Sequence, residues 1–332
     1  MKKKFDIVAL GESLIDFVAE QGGADGKIAM NGSVGGAPAN VLACAAKYGL
    51  KTAMISKIGA DSFGNCIADT LSAAGICTNA MIKSGEQPTT LAMVTLDSTG
   101  DRSFSFYRHQ TADVMLNLDE VNKSFLEDSA IFHFGSVSLT EEPVRTTTLK
   151  SAEIAKTSGA LVSYDPNLRE RLWKDLADAK KWILEGMKLA DIAKLSEEEL
   201  EFLTGEKEIV KGIEKINQEF QIQLLIITQG AKGCTCVYQD KTYQSAAFAV
   251  ETVDTTAAGD TFWGTVLSCI LNEKLDLKKM TEEQVCTVLK TANAAGSLAT
   301  SKRGAIASMP TIEEVEYCMK NIPPLQLRWN IA

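Results

Sequence analysis

The chain has 332 residues, 45% of them hydrophobic and 23% charged, a balance that excludes a largely disordered or collagen-like polypeptide. Its 34 Lys and Arg against 43 Asp and Glu leave a net charge of −9, and an acidic surface repels phosphate polymers, so nucleic acid is not expected as the main partner. With two histidines, His109 and His133, zinc sites built on several imidazoles lack material. Any catalysis has to rest on carboxylates, backbone dipoles, Lys or Arg, or a bound cation.

The start, MKKKFDIVALGESLIDF, has a basic tip, but Asp6, Glu12 and Asp16 interrupt the apolar run that a secretion signal needs. No stretch approaches 18 uninterrupted apolar residues, so no membrane partner and a cytoplasmic location are expected. FDIVALG reads as a buried strand. PANVLACAAKYG reads as a helix with Pro38 in its first turn and Gly49 past its end. TAMISKIG and FGNCIADTLSAAG repeat the strand-helix unit, as do SAIFHFGS with VRTTTLKSAEIAKTSG and ALVSYD with DLADAKKWILEGMKLA, before the strands DIAKLS and QLLIITQG. Strands that are apolar throughout and alternate with helices predict an α/β fold, a mostly parallel sheet covered on both faces.

Residues 12–34 and 88–109 break this rhythm. The second holds LAMVTLDSTGDRSFSFYR, two strands around an STGD turn, and together the two stretches predict a small β-sheet that serves as a lid. Farther on, GCTCVYQDKTYQSAAF reads as a hairpin turning at Gln239-Asp240, followed by apolar helices over about 258–272 and 281–299. The eight cysteines, at 44, 66, 77, 234, 236, 269, 286 and 318, lie in apolar periodic segments without a Cys-x-x-Cys pair, and are expected to be reduced core thiols.

The most informative segment is VETVDTTAAGDTFWGTVL, residues 250–267. A strand ends, Asp254, Thr255 and Thr256 form a turn, and Ala257, Ala258 and Gly259 open a helix with Asp260 in its first turn. Free N–H groups and the positive end of the helix dipole make such a turn an anion site. A carboxylate beside it suits phosphoryl transfer to an alcohol, the backbone facing the phosphoryl group and the carboxylate taking the hydroxyl proton. Equally, Asp254 or Asp260 caps the helix and nothing more.

Other segments carry weaker signals. GGAPAN, residues 35–40, offers close backbone approach at Gly35 and Gly36, with Asn40 either ligand-binding or solvated. Asp16, within SLIDFVA, either accepts from ligand hydroxyls or faces water on an edge strand. Asp165, Asn167 and Arg169 cluster in DPNLR at a strand end, where open α/β sheets bind ligands, although Asp-Pro is also turn chemistry. Glu199 belongs to a charge run, usually a solvated face. Gly230 and Gly233 follow a strand in ITQGAKG, and no GxGxxG follows the first strand, which removes the main support for a dinucleotide fold.

Taken in order, GESLIDF, GGAPANVLACAAKYG, FGN, SFYRHQTADVML, DPNLR, KLSEEELEFLTG, ITQGAKG, DTTAAGDTFWG and NAAGSLATSKRGAIASMP resemble the PfkB-type, ribokinase-like carbohydrate kinases over nearly the whole chain, and among them the bacterial fructokinases. The resemblance implies one ribokinase-like domain over residues 1–332, with a three-layer α/β/α body and a β lid, that phosphorylates a ketohexose with ATP. It implies Asp260 as general base and N–H groups of Ala257, Ala258 and Gly259 as anion hole. Asp16, Gly35, Gly36 and Asn40 would hold sugar hydroxyls, with Tyr107, Arg108 and Arg169 nearby. Asp165, Asn167, Ser196, Thr228, Gly230, Gly233 and Asn293 would line the nucleotide. Glu199 would act through the water shell of Mg²⁺, and Asp254, Thr256, Ala299, Gly304 and Ser308 would surround K⁺.

Two positions depart from the family pattern. Many relatives have Gly where this chain has Ala257, and Ala is strained there if φ must be positive. The motif containing Glu199 usually opens with Asn, where this chain has Ser196. A 2-keto-3-deoxygluconate kinase shares GGAPAN, the Tyr-Arg pair and DPNLR, and would use Arg108 and Arg169 for the substrate carboxylate. Ribose or nucleoside kinases and a non-catalytic sugar or nucleotide sensor are the other readings. Exposed lid edges predict a homodimer.

Overall fold

The computed structural model describes residues 3–19, 29–96, 102–239 and 241–325. In chain order the elements are β1 (Phe5–Leu10), β2 (Leu14–Ala19), β3 (Met30–Gly35), α1 (Ala37–Lys47), β4 (Thr52–Gly59), α2 (Ser62–Ala73), β5 (Ile76–Cys77), β6 (Met81–Ser84), β7 (Leu91–Leu96) and β8 (Arg102–Tyr107). They continue with α3 (Lys123–Glu127), β9 (Ser129–Gly135), α4 (Val144–Thr157), β10 (Leu161–Asp165), α5 (Leu176–Leu189), β11 (Ile192–Ser196), α6 (Glu197–Thr204), α7 (Ile209–Glu219) and β12 (Leu224–Thr228). The last are β13 (Cys234–Tyr238), β14 (Lys241–Ser245), α8 (Ala258–Asn272), α9 (Glu282–Ala299) and α10 (Ile312–Asn321).

The main sheet runs β14-β13-β12-β11-β10-β9-β1-β4-β5, with β6 beside β4. Every pairing from β12 to β5 is parallel, and β13 and β14 extend it as an antiparallel hairpin. Because both faces are covered, successive residues of one strand feed opposite cores. Ile7 and Ala9 join the side chains of α1, α8 and α9, whereas Val8 and Leu10 join those of α4 and α5. This explains why the strands read as unbroken apolar runs.

The second sheet has the order β3-β2-β7-β8, drawn from the two stretches expected to form the lid. Its STGD turn and Asp240 of the other hairpin lie outside the described residues. At the root of the lid a buried polar knot joins β8 to the body. Arg108 Nε donates to Asp113 Oδ2 at 2.7 Å and its Nη1 to Thr140 Oγ1 at 2.7 Å, while Thr111 Oγ1 donates to Asp113 Oδ1 at 2.8 Å.

Helix α8 is seated from below and from the side. Trp263 Nε1 donates to Ser163 Oγ at 2.9 Å, and His133 Nδ1 lies 3.0 Å from the same hydroxyl. Burial pushes the His133 pKa down to about 4, so the ring is neutral. Beside it, Gly264 has no side chain to hold α1 away, since a Cβ there would stand 2.8 Å from Cys44 Cβ and 2.9 Å from the Val41 carbonyl. Cross-links from Asn40 to Asp260, Cys44 to Thr261 and Asn272 to Tyr48 show that α1 and α8 run in the same direction. Two positive helix ends therefore arrive at the same side of the sheet.

The cysteines correct one expectation. All eight are free, but only Cys44, Cys234, Cys236 and Cys318 are buried; Cys77 and Cys269 are half-buried, and Cys66 and Cys286 face solvent. Helix α2 buries Gly64, Ile67 and Leu71, a stripe that turns Cys66 outward.

Candidate active site

The site forms where β10 and β11 end and where α1, α6 and α8 begin. Ala257, the residue before α8, has φ 58°, in the left-handed region, so the strain foreseen for Ala in place of Gly is present. This turn starts the helix with three N–H groups, those of Ala257, Gly259 and Asp260, that reach no backbone acceptor among the described residues. The N–H of Ala258 bonds the Thr255 carbonyl at 3.3 Å, so of the three donors expected, Ala257 and Gly259 stay free among the described residues and Asp260 joins them.

Asp260 is buried on the side of α8 that meets α1. Asn40 Nδ2 donates to its Oδ2 at 2.8 Å, and Asn167 Nδ2 stands 3.4 Å from its Oδ1. Asn40 is itself buried, which removes the solvated reading. Burial, reinforced by the charge of Asp165, pushes the Asp260 pKa up to about 6; Asn40, Lys194 and Arg169 pull the other way.

Asp16 is half-buried on β2, pushed up to about 6 by burial against the pull of Arg169. A side chain at Gly35 would strike its carboxylate. Gly36 has φ 119°, and a side chain there would collide with the Glu12 carbonyl, so glycine is required where the lid rejoins α1. Glu12 was not foreseen: it is buried, accepts from the Ala37 N–H at 3.1 Å, and burial raises it to about 7.

Lys194 was also missed. It is buried on β11 with Nζ 2.7 Å from Asp165 Oδ2. Burial opposes its charge, but Asp165, Glu199 and Asp260 outweigh that and hold its pKa above the ordinary value. A charged residue inside the apolar strand IAKLS is the same signal that singled out Asp16.

Glu199 overturns the solvated-face reading of its charge run. It is buried, with Oε1 accepting from the Leu168 N–H at 2.7 Å and Oε2 from the Ser196 N–H at 2.8 Å, while Ser196 Oγ caps Glu199 N at 3.1 Å. Such a capping box anchors the DPNLR loop to α6. Thr228 pairs in register with Ser196, and Gly233 (φ 98°) packs where a side chain would hit the Ser245 carbonyl. That carbonyl accepts from Asn293 Nδ2 at 3.0 Å, so the amide expected near a nucleotide is held by the protein. Gly230, also at positive φ, lies exposed in the turn between β12 and β13.

A third group forms behind the α8 turn. Asp254 Oδ1 accepts from Thr256 N at 3.0 Å and from its hydroxyl at 2.7 Å, and Gly304 N donates to Asp254 Oδ2 at 3.3 Å. Val253 and Asp254 N–H groups bond the Thr300 carbonyl, drawing the loop onto the end of α9 at Ala299. Ser308 Oγ donates to the Ala305 carbonyl at 2.8 Å. Tyr107 is exposed at the end of β8, and Arg108 is committed to Asp113 and Thr140 as described.

Residues 4–312 match the model of the pfkB family carbohydrate kinases. The chain belongs to the pfkB family of carbohydrate kinases. It is 41% identical over 311 residues to fructokinase-1 of Zea mays, covering 93% of this chain and 96% of that one. Among solved structures it is similar to the fructokinase of Xylella fastidiosa with bound ATP, at 31% identity and TM-score 0.88, over 95% of this chain and 98% of the other. It is also similar to a double-mutant fructokinase of Vibrio cholerae O395 bound to fructose, ADP and potassium ion, at 29% identity and TM-score 0.84, over 96% and 100%. No helix among the described residues is long and apolar enough to cross a membrane.

The kinase retains a buried carboxylate at Asp260 at a cost in stability. Its folded pKa of about 6 exceeds the ordinary 3.8, so the native state binds the proton more tightly. Stability contributed here falls as pH rises from about 4 to about 6, and the full penalty stands above that. Asp260→Asn should therefore raise Tm at pH 8 by roughly 2–6 °C over wild type, with the two curves converging near pH 4. A variant melting below wild type at pH 8 contradicts this.

Proposed function

We propose that the protein transfers the γ-phosphoryl group of ATP to the primary hydroxyl of a ketohexose, D-fructose, giving fructose 6-phosphate. What carries the reading is Asp260, a buried carboxylate with a pKa near 6 in the same helix turn as the free N–H groups of Gly259 and Asp260. At neutral pH it is ionised, and it accepts the hydroxyl proton as the sugar oxygen bonds to the γ-phosphorus. The bond to the β,γ-bridging oxygen breaks and ADP leaves with that electron pair. The α8 N-terminus faces the phosphoryl oxygens.

The groups around Asp260 divide the remaining work. Asp16, Gly35, Gly36 and Asn40 hold sugar hydroxyls beneath the lid, and the lid excludes water. Ser196, Thr228, Gly230 and Gly233 border the nucleotide. No three carboxylates, histidines or cysteines among the described residues are grouped to hold a metal by themselves. That donor set fits Mg²⁺, which keeps its waters and binds through phosphates and one or two carboxylates. Asp165 Oδ1 is buried without a partner, and with Glu199 it is suited to the water shell. Mg²⁺, when bound, neutralises phosphate charge. K⁺ would lie among Asp254, Thr256, Ala299, Gly304 and Ser308, steadying the turn that opens α8.

The sugar-acid reading asked for Arg108 and Arg169 as free cations. Arg108 is paired with Asp113 and keeps only Nη2 without a partner among the described residues, which leaves Arg169 as the cation not so neutralised and favours a neutral sugar. A sensor would have no need to retain a destabilising carboxylate at Asp260. Free thiols fit a cytoplasmic location, and β3 and β8, the outer strands of the lid sheet among the described residues, fit a homodimer.

With ATP and Mg²⁺, fructose should be turned over with a kcat/KM well above those of 2-keto-3-deoxygluconate, ribose and nucleosides, and K⁺ should raise the rate. Asp260→Asn should lower kcat by about 10²–10⁴-fold. A larger kcat/KM for the sugar acid, or an Asp260→Asn enzyme near wild-type rate, overturns the assignment.

A further inference from the structure

Among the described residues, Lys194 is the one buried cation facing three buried carboxylates, those of Asp165, Glu199 and Asp260. An ion pair kept only to neutralise Asp165 would spend the donors of its ammonium on the protein. Of the three N–H groups on Nζ, one donates to Asp165 Oδ2 at 2.7 Å, and no second acceptor is present among the described residues. A buried donor without an acceptor is costly, so a ligand atom that completes it is favoured.

Where those donors lie narrows the ligand. A Cβ built on Gly259 would stand 3.7 Å from Lys194 Nζ and 3.6 Å from its Cε, so the ammonium is beside the first turn of α8, next to the free N–H groups of Gly259 and Asp260. Asp165 holds the lysine through Oδ2, while its Oδ1 remains buried and unpartnered among the described residues. The lysine is thus held through one donor, with its remaining donors unpaired among the described residues and its ammonium beside the anion-binding turn.

We infer that Lys194 is a catalytic residue whose ammonium contacts an oxygen of the transferring phosphoryl group, adding a full positive charge to the partial charges of the α8 turn. The inference rests on the phosphoryl-transfer reading above. Asp165 keeps Lys194 in place, and Asp260, bonded to Asn40 and Asn167 and not to the lysine, stays free to accept the hydroxyl proton. Lys194 gains no proton and loses none during transfer. It stabilises charge on the phosphoryl oxygens as the bond to the leaving ADP breaks.

The consequence is discrimination between nucleotides that carry the γ-phosphoryl group and those that do not. Lys194→Met alone leaves Asp165 buried and unpaired, which endangers folding. The informative comparison is Asp165→Asn against Asp165→Asn/Lys194→Met, since neither strands a carboxylate at position 165 and the two differ only in the lysine. Thermal melting reports folding, calorimetry gives Kd for ATP and ADP with Mg²⁺, and fructose-dependent ADP release gives kcat.

Losing the lysine should weaken ATP binding about tenfold or more with ADP binding changed less than about twofold, and lower kcat by about 10²–10³-fold relative to Asp165→Asn. Equal weakening of ATP and ADP shows a lysine that only steadies the site, and kcat within threefold of Asp165→Asn removes its contact with the phosphoryl group. Either result overturns the inference. Wild-type enzyme releasing no ADP with any sugar would instead refute the kinase reading, a separate outcome.

Discussion

Burial of the Asp260 carboxylate at the start of α8 is the constraint on which the site depends. A lone carboxylate taken from water is expensive, and here it is tolerated through Asn40, reached from the first turn of α1 at 2.8 Å. That contact exists because α1 and α8 run in the same direction at close range, which the absence of a side chain at Gly264 permits. Trp263, hydrogen-bonded to Ser163, fixes the height of α8 over the sheet. Packing well below the site thus sets the position of one oxygen within it.

Several groups around this carboxylate are held at an energetic cost. Ala257 occupies a left-handed conformation that favours glycine, which costs roughly 1–2 kcal/mol. Asp16, Asp260 and Glu199 are all pushed up by burial; Lys194 offsets Asp260 and Glu199, and Arg169 offsets Asp16. The sheet and its two cores carry this load, and the strained positions coincide with those proposed to act on substrate. The lid follows the same division. Its sheet joins the body through a buried knot at Arg108 and Asp113, and it carries Asp16 toward the site on β2.

The body of the fold was legible in the apolar strands and their helices, and the lid in the two stretches that lacked helical spacing. Helices α7 and α10 went unread, although Thr311 and Glu314 form a capping box visible as T-x-x-E. Asp260, Asn40, Gly35 and Gly36 stood out because small residues next to a polar one are unusual at a helix start. Glu199 did not, because three consecutive glutamates look alike in sequence and only the third reaches back to Ser196 N. Arg108 looked available to a substrate, since nothing local reveals that its charge is paired with Asp113, five residues on. Lys194 was hidden in a strand otherwise apolar, and its partners Asp165 and Gly259 come from distant parts of the chain.

The most direct test of the central claim is the pH dependence of kcat/KM for fructose at saturating ATP, which reports the protonation of Asp260 before the sugar binds. Since burial sets its pKa near 6, kcat/KM should be level above pH 7 and fall below about 6 with a slope that approaches tenfold per pH unit, as the base becomes protonated. A profile flat from pH 8 to pH 5 would contradict the account, because a carboxylate that titrates in that range cannot then be the group that takes the proton.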